Sequence, residues 1–179
     1  MDSQTKMETV VLGGGCFWCT EASFNQLKGV DKVISGYAGG TKENPTYDEV
    51  CGGKTGHAEV AKVIFDPNTI SFSELLSVFF SMHDPSTLNS QGADVGTQYR
   101  SIILYTTDEQ RKTAEMFIEN LKKEGIKVVT ELKPLEKFYV AEDYHEKYFQ
   151  NHRGAPYCQM IIDPKINKLK EKFKSLLKS

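Results

Sequence analysis

The chain has 179 residues, 39% of them hydrophobic, including ten Phe and eight Tyr, which is ample for one ordinary buried core. Its 22 Lys and Arg against 24 Asp and Glu leave a formal net charge of -2, without the basic footprint of a nucleic-acid binder. Four cysteines are too few for a disulfide scaffold, and Met1 to Glu8 is short and polar, so a monomeric cytoplasmic protein with no membrane attachment is expected.

No repeat, low-complexity tract or linker divides the chain, which predicts a single domain over 1–179 with 1–7 as a loose terminus. Thr9-Val10-Val11-Leu12 is a β-prone run, and the apolar spacing of Ala22, Phe24 and Leu27 predicts a helix that Cys16 opens. Val33 to Tyr37 and His57 to Phe65 read as strands, the latter ended by Asp66-Pro67. Ser71 and Glu74 have capping-box spacing and open an apolar helix through Met82. Tyr99 to Thr106 reads as a strand, Thr107 with Gln110 repeats the capping pattern, and the helix that follows ends at Gly125. Val128 to Leu132 predicts a strand, and Glu142 to Asn151 a short helix. Over 164–178, lysines alternate with Ile166, Leu169, Phe173, Leu176 and Leu177 at the spacing of a docked amphipathic helix. The sum is an α+β fold, a mixed sheet with helices packed on it. Two long polar loops, 38–45 and 84–98, are where ligand contacts are expected.

The densest chemistry is Gly13-Gly14-Gly15-Cys16-Phe17-Trp18-Cys19. A cysteine at a helix N-terminus meets converging N–H groups and the positive dipole end, which favour the thiolate. The same C-x-x-C also fits a thioredoxin-like disulfide exchanger, or half of a zinc site completed by two of His57, His83, His145, Cys51 or Cys158. On the third strand Glu59 shares a face with Ala61, Val63 and Phe65, and burial there would raise its pKa toward that of a proton donor. The opposite face, Ala58, Val60, Lys62 and Ile64, is also largely apolar, so alternation leaves the buried face open. Taken singly, Tyr47 and Tyr99 read as packed phenols, Asp94 as a turn residue, His57 as a polar strand cap and Cys51 as a buried inert thiol. Cys158 is expected in a loop between helices, free to swing toward another thiol.

Gly14-Gly15-Cys16-Phe17-Trp18, Asn44-Pro45-Thr46-Tyr47, Thr55-Gly56-His57-Ala58-Glu59 and Gly96-Thr97-Gln98-Tyr99-Arg100-Ser101 together resemble the A-type peptide methionine sulfoxide reductases, from about Glu8 to Lys168. The resemblance implies a ferredoxin-like, two-layer sandwich and repair of oxidised methionine, with the S epimer of the sulfoxide, free or in proteins, as substrate. It assigns Cys16 as nucleophile, Glu59 as general acid, Tyr47 and Tyr99 as donors to the sulfoxide oxygen, Phe17 and Trp18 as the methyl pocket, and Asp94 as a substrate-holding residue. The resulting sulfenic acid is resolved by Cys158, and thioredoxin, or dithiothreitol in vitro, reduces the disulfide with no bound cofactor or metal. Many members carry glycine in place of Cys19, so Cys19 is an alternative resolver here. The glycine-rich tail with a further cysteine is missing, which implies a single resolving step.

Overall fold

The computed structural model describes residues 4–179, so Met1, Asp2 and Ser3 of the expected loose terminus lie outside the described residues. Residues 4–7 are exposed and without regular structure. Strand β1 (Glu8–Gly13) carries the β-branched Thr9-Val10-Val11 and leads into α1 (Phe17–Phe24). Next come β2 (Val30–Ala38), α2 (Tyr47–Cys51), β3 (Ala58–Phe65) and α3 (Phe72–Met82). A two-residue-per-arm hairpin, β4 (Ser90–Gln91) and β5 (Asp94–Val95), precedes β6 (Ile102–Tyr105) and α4 (Asp108–Lys123). The chain finishes with β7 (Glu131–Pro134), β8 (Phe138–Val140), α5 (Tyr148–Asn151) and α6 (Asp163–Lys172).

Six strands form one mixed sheet in the order β7-β6-β1-β3-β2-β8, giving a single-domain α+β fold. Every pairing is antiparallel except β6 with β7. Both faces of β3 are covered, which answers the question its alternation left open. Ala61, Val63 and Phe65 join Val10, Leu12 and Val33 beneath Leu75, Leu76 and Phe79 of α3, Ala114 of α4 and Leu169 of α6. Burying each such side chain contributes about 1.5–3 kcal/mol. On the reverse, Ala58 and Val60 pack with Val11, Ile102 and Leu104 under Leu135 and Phe138, and the Lys62 ammonium sits 4.6 Å over the Phe138 ring. The capping box at α3 is complete: Glu74 N donates to Ser71 Oγ at 3.1 Å and Ser71 N to Glu74 Oε2 at 2.8 Å. At α4 only half forms, because Gln110 Oε1 accepts from Thr106 N instead.

Several expected elements move. The strand expected over Tyr99 to Thr106 begins at Ile102, opposite Gly13 where β1 ends. Thr97–Tyr99 forms a 3₁₀ turn, and Tyr99 O accepts from Gly15 N at 3.2 Å. The strand expected over Val128 to Leu132 starts at Glu131, because its partner offers no ladder before Ile102, and Val129 N bonds Pro85 O. The helix expected over Glu142 to Asn151 is split by Lys147, whose backbone is left-handed (φ 51) while its N–H reaches Glu21 Oε1 at 2.8 Å. The carboxy-terminal helix ends at Lys172, short of 178, since Lys28 N bonds Leu176 O and Lys178 N bonds Gln26 O, docking the tail on the turn after α1. Cys158 opens a π-helical turn, Cys158–Ile162, continuous with α6, and lies fully buried in no loop at all. Pro164 has no N–H to return to Met160, which suits this widened winding. Cys51 is exposed, because α2 lies on the surface and buries only Val50. No described helix is long and apolar enough to cross a membrane.

Candidate active site

Cys16 caps α1 in an extended conformation (φ -66, ψ 130) and is 8% exposed. Two of its glycines are required by geometry. A Cβ on Gly14 would lie 2.8 Å from the His83 ring, and Gly15 takes φ +89, which L side chains rarely adopt. The loop is therefore pressed against α3 on one side and tied to Tyr99 on the other.

Glu59 reaches the same point from β3, 1% exposed. Its Oε1 accepts from Phe17 N at 3.4 Å, and its Oε2 has no hydrogen-bond partner. Burial, aided by the nearby Asp94 charge and opposed by the Phe17 N–H, pushes its pKa up to about 8. The carboxyl group is therefore protonated at neutral pH, with an unpartnered oxygen available to a ligand. Tyr47 begins α2 and Tyr99 ends the 3₁₀ turn, and in both the phenol is held strongly neutral, by burial first. Glu59 adds to that shift in each, so both hydroxyls share its surroundings. The Phe17 ring is wholly buried and stacks on Tyr47 at 6.4 Å.

The thiolate expected at Cys16 from the helix end does not prevail at rest. Burial raises its pKa well above normal, Glu59 and Cys19 add to the rise, and the Trp18 N–H only partly offsets them. The cost of burying a thiolate in a low-dielectric pocket outweighs the pull of a short helix. A phenol covers the pocket: Tyr157 Oη donates to Asp94 Oδ2 at 3.0 Å and lies 3.9 Å from Cys19 Sγ. Its ring meets Trp18 edge-on at 5.8 Å. Cys16, Cys19 and Cys158 belong to one apolar cluster with Phe17 and Tyr37. All four cysteines are free thiols.

The peptide methionine sulfoxide reductase family model matches residues 8–177. A peptide methionine sulfoxide reductase MsrA from Sulfolobus acidocaldarius is 56% identical over 168 residues, 93% of this chain and 96% of that protein. The crystal structure of reduced Mxr1 from Saccharomyces cerevisiae superposes with a TM-score of 0.78 at 37% identity, covering 87% of this chain and 91% of that one. Mxr1 in complex with Trx2 matches with a TM-score of 0.54 at 26% identity, over 82% of this chain and 87% of that one. The chain belongs to the A-type peptide methionine sulfoxide reductases.

In this reductase the sequence motifs converge, and residues outside them hold the site together. Glu142 Oε1 accepts from Tyr37 Oη and its Oε2 from Tyr47 N, both at 2.9 Å, which fixes the start of α2. His145, fully buried, accepts the Trp18 indole N–H on Nδ1 at 3.0 Å, while Tyr148 stacks on Trp18 at 3.6 Å. Glu21 takes Ser35 Oγ and Lys147 N. Sequence reasoning passed over Glu142, Glu21 and Tyr157. The one available sign was the polar run Glu142 to Glu146 at the start of the short helix expected there. The zinc alternative fails on occupancy. His57 bonds Gly40 N and Lys42 O, His83 bonds Phe79 O and Ser101 Oγ, and no metal-holding group of three His, Cys, Asp or Glu occurs among the described residues.

Proposed function

We propose that the reductase takes the S epimer of methionine sulfoxide, free or in proteins, and returns methionine through a sulfenic acid on Cys16. The observation that supports it most is Glu59, buried, protonated at neutral pH and carrying an unpartnered oxygen beside Cys16. Cys16 sulfur attacks the sulfoxide sulfur while Glu59 protonates the sulfoxide oxygen, with Tyr47 and Tyr99 hydrogen-bonded to that oxygen. The thiol proton replaces the one Glu59 gave up. The hydroxyl then passes from the methionine sulfur to Cys16 as the S–S bond just formed and the sulfoxide S–O bond break, so that methionine departs reduced and Cys16 is left oxidised as the sulfenic acid. Phe17 and Trp18 receive the substrate methyl, and Asp94, released from Tyr157, holds the polar end.

The sulfenic acid then condenses with a thiol. Family position assigns the resolving thiol to Cys158, and Cys19 is the alternative. Reduction by thioredoxin is supported by the Mxr1 complex with Trx2, and suits a cytoplasmic monomer needing no bound cofactor or metal. The whole chain, 1–179, acts as one domain. Its core strands β6-β1-β3-β2, with α1 and α3 as connections, support the ferredoxin-like, two-layer label.

A thioredoxin-like exchanger needs only Cys16 and Cys19 and leaves Glu59, Tyr47 and Tyr99 without a task. Fully reduced protein mixed with racemic methionine sulfoxide, without added reductant, separates the readings. One methionine per chain with the R epimer remaining is the expected result, and peptide mass mapping identifies the disulfide. No methionine from either epimer sinks the reading.

A further inference from the structure

Cys19 lies within the first turn of α1, with its N–H donating to Cys16 O at 3.1 Å. Its thiol lines a narrow cavity of about 10 Å³ together with Gly14, Met82, His83 and Lys165. Lys165 is brought there by α6. Lys168, Lys170, Lys172, Lys174 and Lys178 are all exposed, whereas Lys165 is half-buried. Among the described residues no carboxylate lies within ion-pair distance of its ammonium. The half-buried Lys165 side chain thus lies between the open groove beside the end of α3, which it also lines, and the small cavity it shares with Cys19.

The other groups around Cys19 do not supply a positive charge. Tyr157 offers a hydroxyl at 3.9 Å, Cys16 and Cys158 are thiols, and Asp94 on the β4–β5 hairpin is negative. His83, at the end of α3, is kept neutral by burial, with a pKa lowered to about 4. Burial works against ionisation of Cys19, and Lys165 leads the groups that work for it. Cys158 has the reverse setting, since burial and Asp163 both oppose its ionisation. Attack on a sulfenic acid requires a thiolate, so the thiol beside a cation has the advantage.

We propose that Lys165 is a positioning residue of the recycling half-reaction, supplying the counter-charge under which Cys19, ahead of Cys158, captures the Cys16 sulfenic acid. This rests on the mechanism above, in which Cys16 carries that acid. The Cys19 thiolate attacks Cys16 Sγ, the S–S bond forms and the S–O bond breaks. The oxygen leaves as water after taking a proton. Cys19 is oxidised as the sulfenic sulfur is reduced, and no outside oxidant is consumed.

The test mixes reduced wild type, Lys165→Met, Lys165→Gln and Lys165→Arg proteins with methionine sulfoxide from pH 6 to pH 10, quenches with an alkylating agent and maps the first disulfide. Wild type should form Cys16–Cys19 first. In Lys165→Met and Lys165→Gln that step, timed from the methionine burst, should slow about tenfold at neutral pH, with its pH profile displaced upward by about one unit. Lys165→Arg should restore both. A normal burst followed by a first Cys16–Cys158 bridge overturns the proposal alone, as does an unchanged rate and profile in the polar Lys165→Gln protein. Absence of a methionine burst in wild type overturns the mechanism beneath it, and the proposal too.

Discussion

The Tyr157 hydroxyl is bonded to Asp94 Oδ2 at 3.0 Å, joining the segment that carries Cys158 to the hairpin that carries Asp94 across the mouth of the cysteine pocket. One hydrogen bond of this kind contributes about 1 kcal/mol to keeping the Tyr157 ring in place. In Tyr157→Phe the ring remains and the bond is lost. Labelling of Cys16 by iodoacetamide should then accelerate about fivefold, the factor that 1 kcal/mol represents. An unchanged labelling rate, read by peptide mass mapping, would show that the cover is held by packing on Trp18 instead.

Trp18 owes its orientation to His145, which takes the indole N–H at 3.0 Å. Because that acceptor is Nδ1, the neutral ring carries its proton on Nε2, and burial keeps the ring neutral by lowering its pKa. His145→Ala strands the indole N–H and opens a gap between the Phe17, Trp18 and Tyr47 rings. A loss of about 1–3 kcal/mol of stability is expected by urea unfolding. The KM for methionine sulfoxide should rise more than kcat falls, since the proposed methyl pocket loses its shape while Glu59 stays in place. A pure kcat effect would detach Trp18 from substrate binding.

The sheet core and the capped helices were legible because local patterns determine them: β-branched runs, the Ser71 and Glu74 spacing, and Gly125 after α4. The convergence of Cys16, Glu59, Tyr47 and Tyr99 was readable through the family resemblance, since no local periodicity brings four separate segments together. The misread elements share a cause, which is that long-range partners decided them. Tyr99 leaves the strand because β1 ends at Gly13, and Lys147 breaks its helix where Glu21 claims the backbone. Cys158 reads as a loop residue between two helices, whereas Pro156 here lies in the first helical turn before the π-turn.

The capping box of α3 offers a check on the fold independent of chemistry. Ser71→Ala removes the acceptor for Glu74 N and should cost about 1 kcal/mol. Leu76→Ala, at a wholly buried position in the same helix, should cost about 2–5 kcal/mol. Denaturant midpoints measured on reduced protein should keep that order. A larger loss for Ser71→Ala would mean that α3 is held mainly from its end and not by the sheet beneath it.

In the proposed mechanism Glu59 links catalysis and stability through one proton. Its pKa rises from 4.5 unfolded to about 8 folded, so between those values the folded protein binds the proton more tightly. The stability contributed by Glu59 is therefore fully present below about pH 4.5, falls as pH climbs through the window, and is lost, at a few kcal/mol, above pH 8. Glu59→Gln removes this dependence, so the variant should melt above wild type at pH 9. The same substitution takes away the proposed proton donor, and methionine formation in a single turnover should slow by about 10²-fold or more. In wild type that rate should fall as pH rises past about 8, apart from any gain from thiol ionisation. A Gln variant with a normal methionine burst would remove Glu59 from the chemistry and leave it a purely structural carboxyl.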